Sequence, residues 1–264
     1  MTVDMPTEEN PVVVVEGDAL AAMRAMPDCS VDTLITDPPY CAGAVSEAQR
    51  TAAKGQGLRS ENLRRFGWFT GDNMTTAGLV YLLRAVAFEA VRVVKPTGSL
   101  VVFCDWRLAT TLSPAVESAG VRFQGEIIWN KGCMGLGNGF RKQHEKALHF
   151  TFGEPEYHAR DVPDLLTAPR VRGDDREHQT QKPVSLLKDI IRVTCPPGGV
   201  VLDPFAGSGS TGIAAVDEGM RCVLVERDAE HCLTIRRRVA EAMGLGEGSL
   251  LKTLSAPSLF GESS

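Results

Sequence analysis

Short runs of β-branched residues alternate with amphipathic stretches along most of this chain. VVVVEGD at 12–18 and VDTLIT at 31–36 predict strands, whereas TAGLVYLLRAVAFEAVRVV at 76–94 has the apolar spacing of a long helix. Further strands are predicted at 99–105, 125–131, 146–152, 199–204 and 221–228, and further helices at 19–26, 107–120, 184–194, 210–219 and 229–243. Strands that alternate with helices of this length predict βαβ units. We therefore expect an α/β, doubly wound and mostly parallel sheet with helices on both faces.

Composition excludes several other classes of protein. The 264 residues are 43% hydrophobic, which suffices for one domain of the larger α/β size. A net charge of −5 argues against a generic polyanion binder, but not against local basic patches. The seven cysteines include no CxxC pair, so we expect no disulfide framework, no metal site and a cytoplasmic location. No apolar run approaches the ~20 residues of a membrane helix, and the acidic N-terminus does not resemble a signal peptide.

Two long stretches interrupt the alternation of strands and helices. The first, residues 41–75, has basic residues close to aromatic ones, namely Arg59, Arg64 and Arg65 near Phe66, Trp68 and Phe69. The second, residues 132–181, begins with a glycine-rich loop that is followed by Arg141 and Lys142. Basic and aromatic side chains together suit a polyanion with bases that can stack. The alternative for each stretch is a solvated, charged face.

A glycine-rich turn follows the predicted strand near residue 200. In VVLDPFAGSGSTG at 200–212, the strand lies directly before Gly207 and Gly209, and a helix follows at once. These glycines permit a tight turn and the close approach of a ligand, and Gly212 permits close packing of helix and strand. Glu226 ends the next strand, where an acceptor for a ribose hydroxyl belongs. The combination predicts a nucleotide-like cofactor.

The residues around the turn indicate which cofactor this is. Asp203 lies at the strand tip, where its carboxylate would be repelled by a pyrophosphate. The same carboxylate suits the ammonium and sulfonium of S-adenosylmethionine, which has no phosphate. Phe205 adds an apolar contact that a phosphate loop does not need. We therefore predict S-adenosylmethionine, with a turn that binds no ligand as the alternative.

The motif TDPPY at 36–40 ends another buried strand. Its two prolines make the chain leave the sheet in a stiff, extended turn. The exocyclic amine of adenine is a poor nucleophile because its lone pair is delocalised into the ring. The Asp37 carboxylate and the Pro38 carbonyl can accept its two N–H bonds and so localise that pair. Tyr40 can stack on a base that has been flipped out of its duplex.

TDPPY and DPFAGSGSTG together resemble the amino-DNA methyltransferases. The order of the motifs, with the acceptor motif first, is similar to the permuted beta group of that family. The resemblance implies a twisted seven-stranded sheet whose last strand is antiparallel. It also implies S-adenosylmethionine as cofactor and double-stranded DNA as partner. The short recognition region suggests that a second protein or a second copy helps to grip DNA, so a homodimer is expected.

Three further segments resemble parts of the same family. EGDAL at 16–20 resembles the segment that contacts the adenosyl group, and HQTQKPVSLL at 178–187 resembles an element of the cofactor site. IIWNKG at 127–132 resembles the strand and loop that line the target-base pocket. Each has a structural alternative: Asp18 as a helix N-cap, Lys182 as the cap of a turn, and Trp129 as a core residue.

These arguments give three sets of predicted site residues. The catalytic set is Asp37, Pro38, Pro39 and Tyr40. The cofactor-binding set is Asp18, Ala19, Asp37, Thr180, Gln181, Lys182, Asp203, Pro204, Phe205, Gly207, Ser208, Gly209, Thr211, Glu226 and Arg227. The DNA-binding set is Arg59, Arg64, Arg65, Trp129, Asn130, Lys131, Arg141 and Lys142.

The domain prediction is a single methyltransferase domain over residues 1–243. It comprises an acceptor half at about 1–131, a recognition insertion at about 132–181 and a cofactor half at about 182–243. The segment 244–264 is predicted to be a flexible tail because it is rich in glycine and serine.

The predicted activity is site-specific methylation of the N6 amine of adenine in DNA, as in restriction–modification systems. The resemblance favours adenine because the family's usual cytosine version has serine where Asp37 stands. Methylation of cytosine N4 is the first alternative. A nicotinamide-dependent oxidoreductase and a catalytically silent DNA-binding module are the others.

Overall fold

The computed structural model describes residues 2–39, 75–135, 138–170 and 181–245. In chain order its elements are β1 (Val12–Glu16), α1 (Ala19–Ala25), β2 (Val31–Thr36), α2 (Thr76–Val93), β3 (Val94–Cys104), α3 (Ala109–Glu117), β4 (Arg122–Asn130), β5 (His144–Thr151), β6 (Leu165–Thr167), α4 (Val184–Thr194), β7 (Val200–Asp203), α5 (Ser210–Asp217), β8 (Arg221–Glu226) and α6 (Ala229–Ala242). Each predicted strand and helix in this part of the chain is present. The main differences are β3, which begins five residues earlier than expected (94 rather than 99), and β6, which was not predicted.

The strands form one sheet of eight, in the order β1-β8-β7-β2-β3-β5-β4-β6. Every adjacent pair is parallel except those of β5, which runs antiparallel to β3 and to β4. The prediction of an α/β, doubly wound and mostly parallel sheet is confirmed. The number of strands is eight rather than seven, because the three-residue β6 adds to the edge beside β4.

The antiparallel strand is β5, not the last strand of the chain as expected. β8 pairs in parallel with β1 and with β7, because α5 crosses over between β7 and β8. Between β4 and β5, the described residues of 131–143 form no helix, and β5 returns in the opposite direction.

Side chains of β3 show that both faces of the sheet are covered. Leu100 and Val102 belong to one hydrophobic cluster, together with buried residues of α1, α2 and α3. Val101 and Phe103, which point the other way, belong to a second cluster with residues of α4, α5 and α6. Because each face has a core of its own, a polar ligand site is expected at one of the two edges where the strands end.

One of these edges collects the residues predicted to form the site. β2, β7 and β8 are parallel, so their carboxyl ends lie together, and these strands lead into Asp37, Asp203 and Glu226 respectively. Ligands of open α/β sheets bind beyond the carboxyl ends of the strands. The fold therefore brings the two main motifs to one place.

Asp32 joins three strands near the opposite edge. Its carboxylate accepts a hydrogen bond from the buried backbone N–H of Val200 at 2.8 Å and another from the ammonium of Lys95 at 2.7 Å. These contacts connect β2 with β7 and β3, the central strands of the sheet. A buried N–H group that loses its acceptor costs about 1–3 kcal/mol.

We expect Asp32→Ala to lower the free energy of unfolding by about 1–3 kcal/mol, because the Val200 N–H is left unsatisfied. Equilibrium unfolding in urea measures the change. Asp28→Ala is the matched control, since its carboxylate is 73% exposed and its pair with Arg92 lies at the surface. Such exposed pairs contribute about 0–1 kcal/mol. Equal losses in the two variants would contradict the role given to Asp32.

Candidate active site

The glycine-rich turn has the backbone geometry that its sequence predicts. Gly207 and Gly209 have φ angles of 53° and 80°, in the left-handed region that favours glycine, and Gly209 is the N-cap of α5. A Cβ atom on Gly212 would lie 2.5 Å from a methyl carbon of Leu224. Only glycine at this position lets α5 pack directly against β8. The helix N-terminus and the end of β7 thus form a narrow turn at the site edge.

Asp203 is a buried carboxyl at the end of β7. One oxygen accepts a hydrogen bond from the Thr211 hydroxyl at 2.6 Å, and the other accepts from the Phe205 N–H at 3.1 Å. Burial raises the pKa of Asp203 to about 7, although both hydrogen bonds act in the opposite direction. The negative charges of Asp37 and Glu226 contribute to this rise. A cation bound here would stabilise the ionised form of Asp203.

Glu226 ties the end of β8 to the glycine-rich turn. One of its oxygens accepts from the Gly207 N–H and the other from the Asp228 N–H, both at 2.9 Å. A carboxylate can accept more than one hydrogen bond at each oxygen, so these contacts leave the predicted ribose contact possible. That contact stays a prediction.

Asp18 caps helix α1. Its side chain accepts a hydrogen bond from the Ala21 N–H at 3.0 Å, and Ala19 is the first residue of the helix. The N-cap alternative raised by the sequence is therefore present in the structure. Asp18 and Ala19 lie at the carboxyl end of β1, and their predicted contact with the cofactor stays a prediction.

Lys182 connects the TDPPY motif with the segment that precedes α4. It lies just before α4, and its ammonium donates a hydrogen bond of 2.5 Å to Asp37 Oδ2. The side chain is only 5% exposed, and its nitrogen lies 5.1 Å from the ring centroid of Phe103. Burial lowers the pKa of Lys182, but the carboxylates of Asp37 and Glu145 outweigh this and raise it above its usual value. Lys182 is therefore a buried ammonium held by Asp37, and its predicted contact with the cofactor stays a prediction.

Glu145 is a site residue that the sequence did not predict. It lies near the start of β5, forms an ion pair with the buried Lys131, and has its other oxygen 3.4 Å from the Lys182 ammonium. Burial raises the pKa of Glu145, but the two ammonium groups outweigh this and lower it. The only signal in the sequence is a run of charged residues where a buried strand begins. Glu145 extends the Asp37–Lys182 pair into a chain of four charges that ends at Lys131.

The residues predicted to line the target-base pocket stabilise the core and the following loop. Trp129 is buried, and its ring N–H donates to the Ala168 carbonyl at 2.8 Å, so its core alternative is present in the structure. The side-chain amide oxygen of Asn130 accepts a hydrogen bond from the Gly132 N–H at 3.1 Å and another from the Gln143 side-chain amide at 2.9 Å. Lys131 is buried against Glu145, and its predicted contact with DNA stays a prediction.

The loop between β4 and β5 presents exposed basic and aromatic groups. Arg141 and Lys142 are exposed, and the Lys142 nitrogen lies 4.6 Å from the ring centroid of Trp106. Phe140 is fully exposed beside them. Trp106 and Phe140 were not predicted, although GFRK at 139–142 offered an aromatic residue next to two basic ones.

The remaining predicted residues divide into two groups. Pro38, Pro204 and Ser208 are buried, Pro39 and Gln181 are half-buried, and Arg227 is exposed just after β8. Tyr40, Arg59, Arg64, Arg65 and Thr180 lie outside the described residues. Within the described ranges, no helix is long and apolar enough to cross a membrane. The same part of the chain holds no group of three or more side chains that could bind a metal ion.

Comparison with known families agrees with this site. The model of the DNA methylase family whose members act on adenine N6 or cytosine N4 matches residues 31–237, which include both motifs. The chain therefore belongs to this DNA methylase family. The predicted resemblance to the amino-DNA methyltransferases is confirmed, and the protein is a DNA methyltransferase of the N6/N4 type.

Individual relatives and solved structures support the assignment. YubD of Escherichia coli (strain K12) is 30% identical over 226 residues, which cover 86% of this chain and 89% of that protein. The type II methyltransferase M.HinfI of Haemophilus influenzae is 27% identical over 253 residues, covering 86% of this chain and 68% of that enzyme.

Two solved structures share the fold at low sequence identity. The complex of M1.HpyAVI with SAM has a TM-score of 0.61 at 21% identity, covering 86% of this chain and 99% of that one. The cytosine-N4-specific PvuII DNA methyltransferase has a TM-score of 0.65 at 16% identity, covering 96% and 92%. The fold is thus shared by a cytosine-specific enzyme and does not by itself identify the target base.

The hydrogen bond from Thr211 holds down the pKa of Asp203, so Thr211→Val should raise it above about 7. A hydrogen bond to a charged group contributes about 1.5–3 kcal/mol, which corresponds to a rise of at least about 1. Titration of the Asp203 carboxyl by ¹³C NMR measures the change. Thr211→Ser, which keeps the donor, is the control. An identical titration of Asp203 in the valine variant and the wild type would contradict the assigned contact.

Proposed function

We propose that this protein transfers a methyl group from S-adenosylmethionine to the N6 amine of an adenine flipped out of double-stranded DNA. The observation that supports this most directly is the position of Asp37. It follows β2, whose neighbour β7 leads into Asp203 and the glycine-rich turn. Burial is the main cause of the raised pKa of Asp203, and the negative charge of Asp37 adds to it because the two carboxylates lie near each other.

The buried Asp203 fits a cationic cofactor. Burial raises the pKa of its carboxyl to about 7, and an ammonium or sulfonium nearby would favour the ionised form. Glu226 and the turn at Gly207–Gly209 would hold the adenosine end, with Asp18 and Phe205 beside them. S-adenosylmethionine supplies an electrophilic methyl group when bound. The solved complex of M1.HpyAVI with SAM supports the choice of this cofactor.

Asp37 and Pro38 act on the target amine. A carboxylate offers about four lone-pair positions, so the contact with Lys182 is compatible with a further hydrogen bond from the amine. The Pro38 carbonyl accepts the second N–H, and the two prolines hold this acceptor pair in place. Together the two acceptors localise the lone pair of the amine, and the carboxylate offsets the positive charge that develops on the nitrogen.

Asp37 favours adenine over cytosine as the target. The family's usual cytosine version, to judge by the motif, has serine at this position. Methylation of cytosine N4 remains the alternative, because the amine chemistry is the same and PvuII DNA methyltransferase shares the fold. The product nucleoside distinguishes the two activities.

DNA would approach the carboxyl edge of the sheet, where Arg141 and Lys142 are exposed. Arg59, Arg64 and Arg65 are proposed as further phosphate contacts on the strength of their sequence context. A homodimer, a cytoplasmic location and the division into two halves around an insertion also stay predictions.

We expect Asp37→Ala to slow methyl transfer by about 10²–10³-fold, because the amine loses an acceptor positioned in a water-poor site. Binding of S-adenosylmethionine should change little, since Asp203 and Glu226 are intact. Single-turnover transfer of labelled methyl groups to unmethylated DNA measures the rate, and nucleoside analysis identifies the product.

Asp217→Ala is the control, because Asp217 at the end of α5 pairs with Lys188 of α4 at the surface, away from the site. N6-methyladenine from the wild type, with a large loss only in Asp37→Ala, is the expected result. N4-methylcytosine as the product would establish the alternative. A rate near that of the wild type in Asp37→Ala would refute the assignment of TDPPY.

Removing the charges of Arg141 and Lys142 together should flatten the salt dependence of DNA binding by about 0.9 in log–log slope per lost phosphate contact. Fluorescence anisotropy with a labelled duplex at several salt concentrations measures the slope. Arg24→Ala with Arg84→Ala is the control, since it removes two exposed arginines from α1 and α2. If both double variants have the wild-type slope, the loop is a solvated face.

A further inference from the structure

The chain of four charges that begins at Asp37 includes Glu145, which has no role in the proposed chemistry. Glu145 contacts the Lys182 ammonium, which in turn donates to Asp37. We infer that Glu145 is a positioning residue for methyl transfer, which fixes Asp37 through Lys182. This inference rests on the proposed role of Asp37 as the acceptor for the target amine.

The sheet register brings Glu145 to the site edge. Glu145 pairs with Trp129 of β4, and the next residue, Lys146, pairs with Cys104, the last residue of β3. Because β5 is antiparallel to its neighbours, its beginning lies where they end. Glu145 therefore points its charge towards Lys182 from a strand rather than from a loop, and a strand holds side chains more precisely.

Lys182 depends on its carboxylates to remain an ammonium. Its nitrogen lies 5.1 Å from the ring centroid of Phe103 and 6.0 Å from that of Trp129, in an apolar setting. A buried ammonium is costly unless carboxylates offset its charge. Two carboxylates hold it from two sides, Asp37 just after β2 and Glu145 in β5. The ammonium is thus fixed at two points, and it fixes the Asp37 oxygen that it contacts.

Loss of the Glu145 charge would rearrange these contacts. Lys131 and Lys182 both contact Glu145. Burial lowers the pKa of Lys131, and the charge of Lys182 adds to this effect, so the two ammonium groups repel each other. Without the shared carboxylate, Lys182 would move relative to Asp37. A misplacement of about 1 Å in a reacting group can cost about 10²-fold in rate.

The test compares Glu145→Gln with the wild type in single-turnover methyl transfer to DNA. We expect the rate to fall about 10–100-fold, while affinities for S-adenosylmethionine and DNA stay within about twofold. Glu126→Gln is the matched control, since Glu126 of β4 forms an ion pair of 2.6 Å with Lys146 of β5, the strand that contains Glu145. It should transfer methyl groups at the wild-type rate.

A double-mutant cycle shows whether Glu145 acts through Lys182. In a Lys182→Met background, Glu145→Gln should cause no further loss of rate beyond about twofold, because the ammonium through which it reaches Asp37 has been removed. Losses that multiply would overturn the inference, as would a loss explained by weaker cofactor binding. If Glu145→Gln fails to fold, as judged by thermal unfolding, Glu145→Asp replaces it in the cycle with a smaller expected loss.

A readout without catalysis separates this inference from the proposed function. The Asp37 carboxyl ¹³C resonance should shift in Glu145→Gln and not in Glu126→Gln. A wild-type protein that methylates no DNA would refute the proposed function, and the resonance would still test the contact. An active wild type whose rate and Asp37 resonance are both unchanged by Glu145→Gln would refute only the role of Glu145.

Discussion

The contact between Lys182 and Asp37 joins two segments that lie 145 residues apart. It requires that β2 and the start of α4 meet at one edge of the sheet, which in turn requires the strand order that the structure has. A buried ammonium that lost its carboxylate would cost several kcal/mol. The contact therefore fixes the acceptor motif and the segment before the glycine strand in one arrangement.

The other carboxylates of the site are arranged differently from Asp37. Asp203 is buried beside hydrogen-bond donors that carry no full charge, and burial, with smaller contributions from the charges of Asp37 and Glu226, raises its pKa to about 7. Lys182 compensates Asp37 and Glu145. In the part of the chain that the structure describes, no cationic side chain forms an ion pair with Asp203, so a ligand could compensate its charge. A cationic ligand bound here would compensate the buried negative charge of Asp203. The cofactor would therefore gain affinity from charge compensation as well as from direct contacts.

Features that depend on a few neighbouring residues were predictable from the sequence. The glycines of the turn, the strand before them and the helix after them follow from local conformational preferences, and each is present. Gly212 is an example, because its role in packing α5 on β8 could be inferred from the motif itself. The stiff turn at TDPPY was predictable in the same way, since two prolines after a strand leave the chain few conformations.

Features that depend on distant residues were not predictable in the same way. β6 has three residues and exists because its backbone pairs with β4, a partner that the local sequence does not reveal. The contact between Glu145 and Lys182 could not be predicted from the residues around Glu145, because the position of Lys182 is set by α4 on another part of the chain. Trp129 could be assigned to the pocket or to the core; its hydrogen bond to Ala168 shows the core contact, and its predicted role at the target base stays a prediction.

The direction of β5 explains how a strand residue can reach this site at all. Parallel strands bring only their carboxyl ends to the site edge, so residues there normally belong to the loops that follow them. An antiparallel strand is the exception, because its first residues lie at that edge while still paired with a neighbouring strand. Glu145, the second residue of β5, pairs with Trp129 of β4, and pairing with β3 begins at the next residue, Lys146. The one antiparallel strand among those described thus gives the site a carboxylate held by the sheet itself, next to the loop with Arg141 and Lys142.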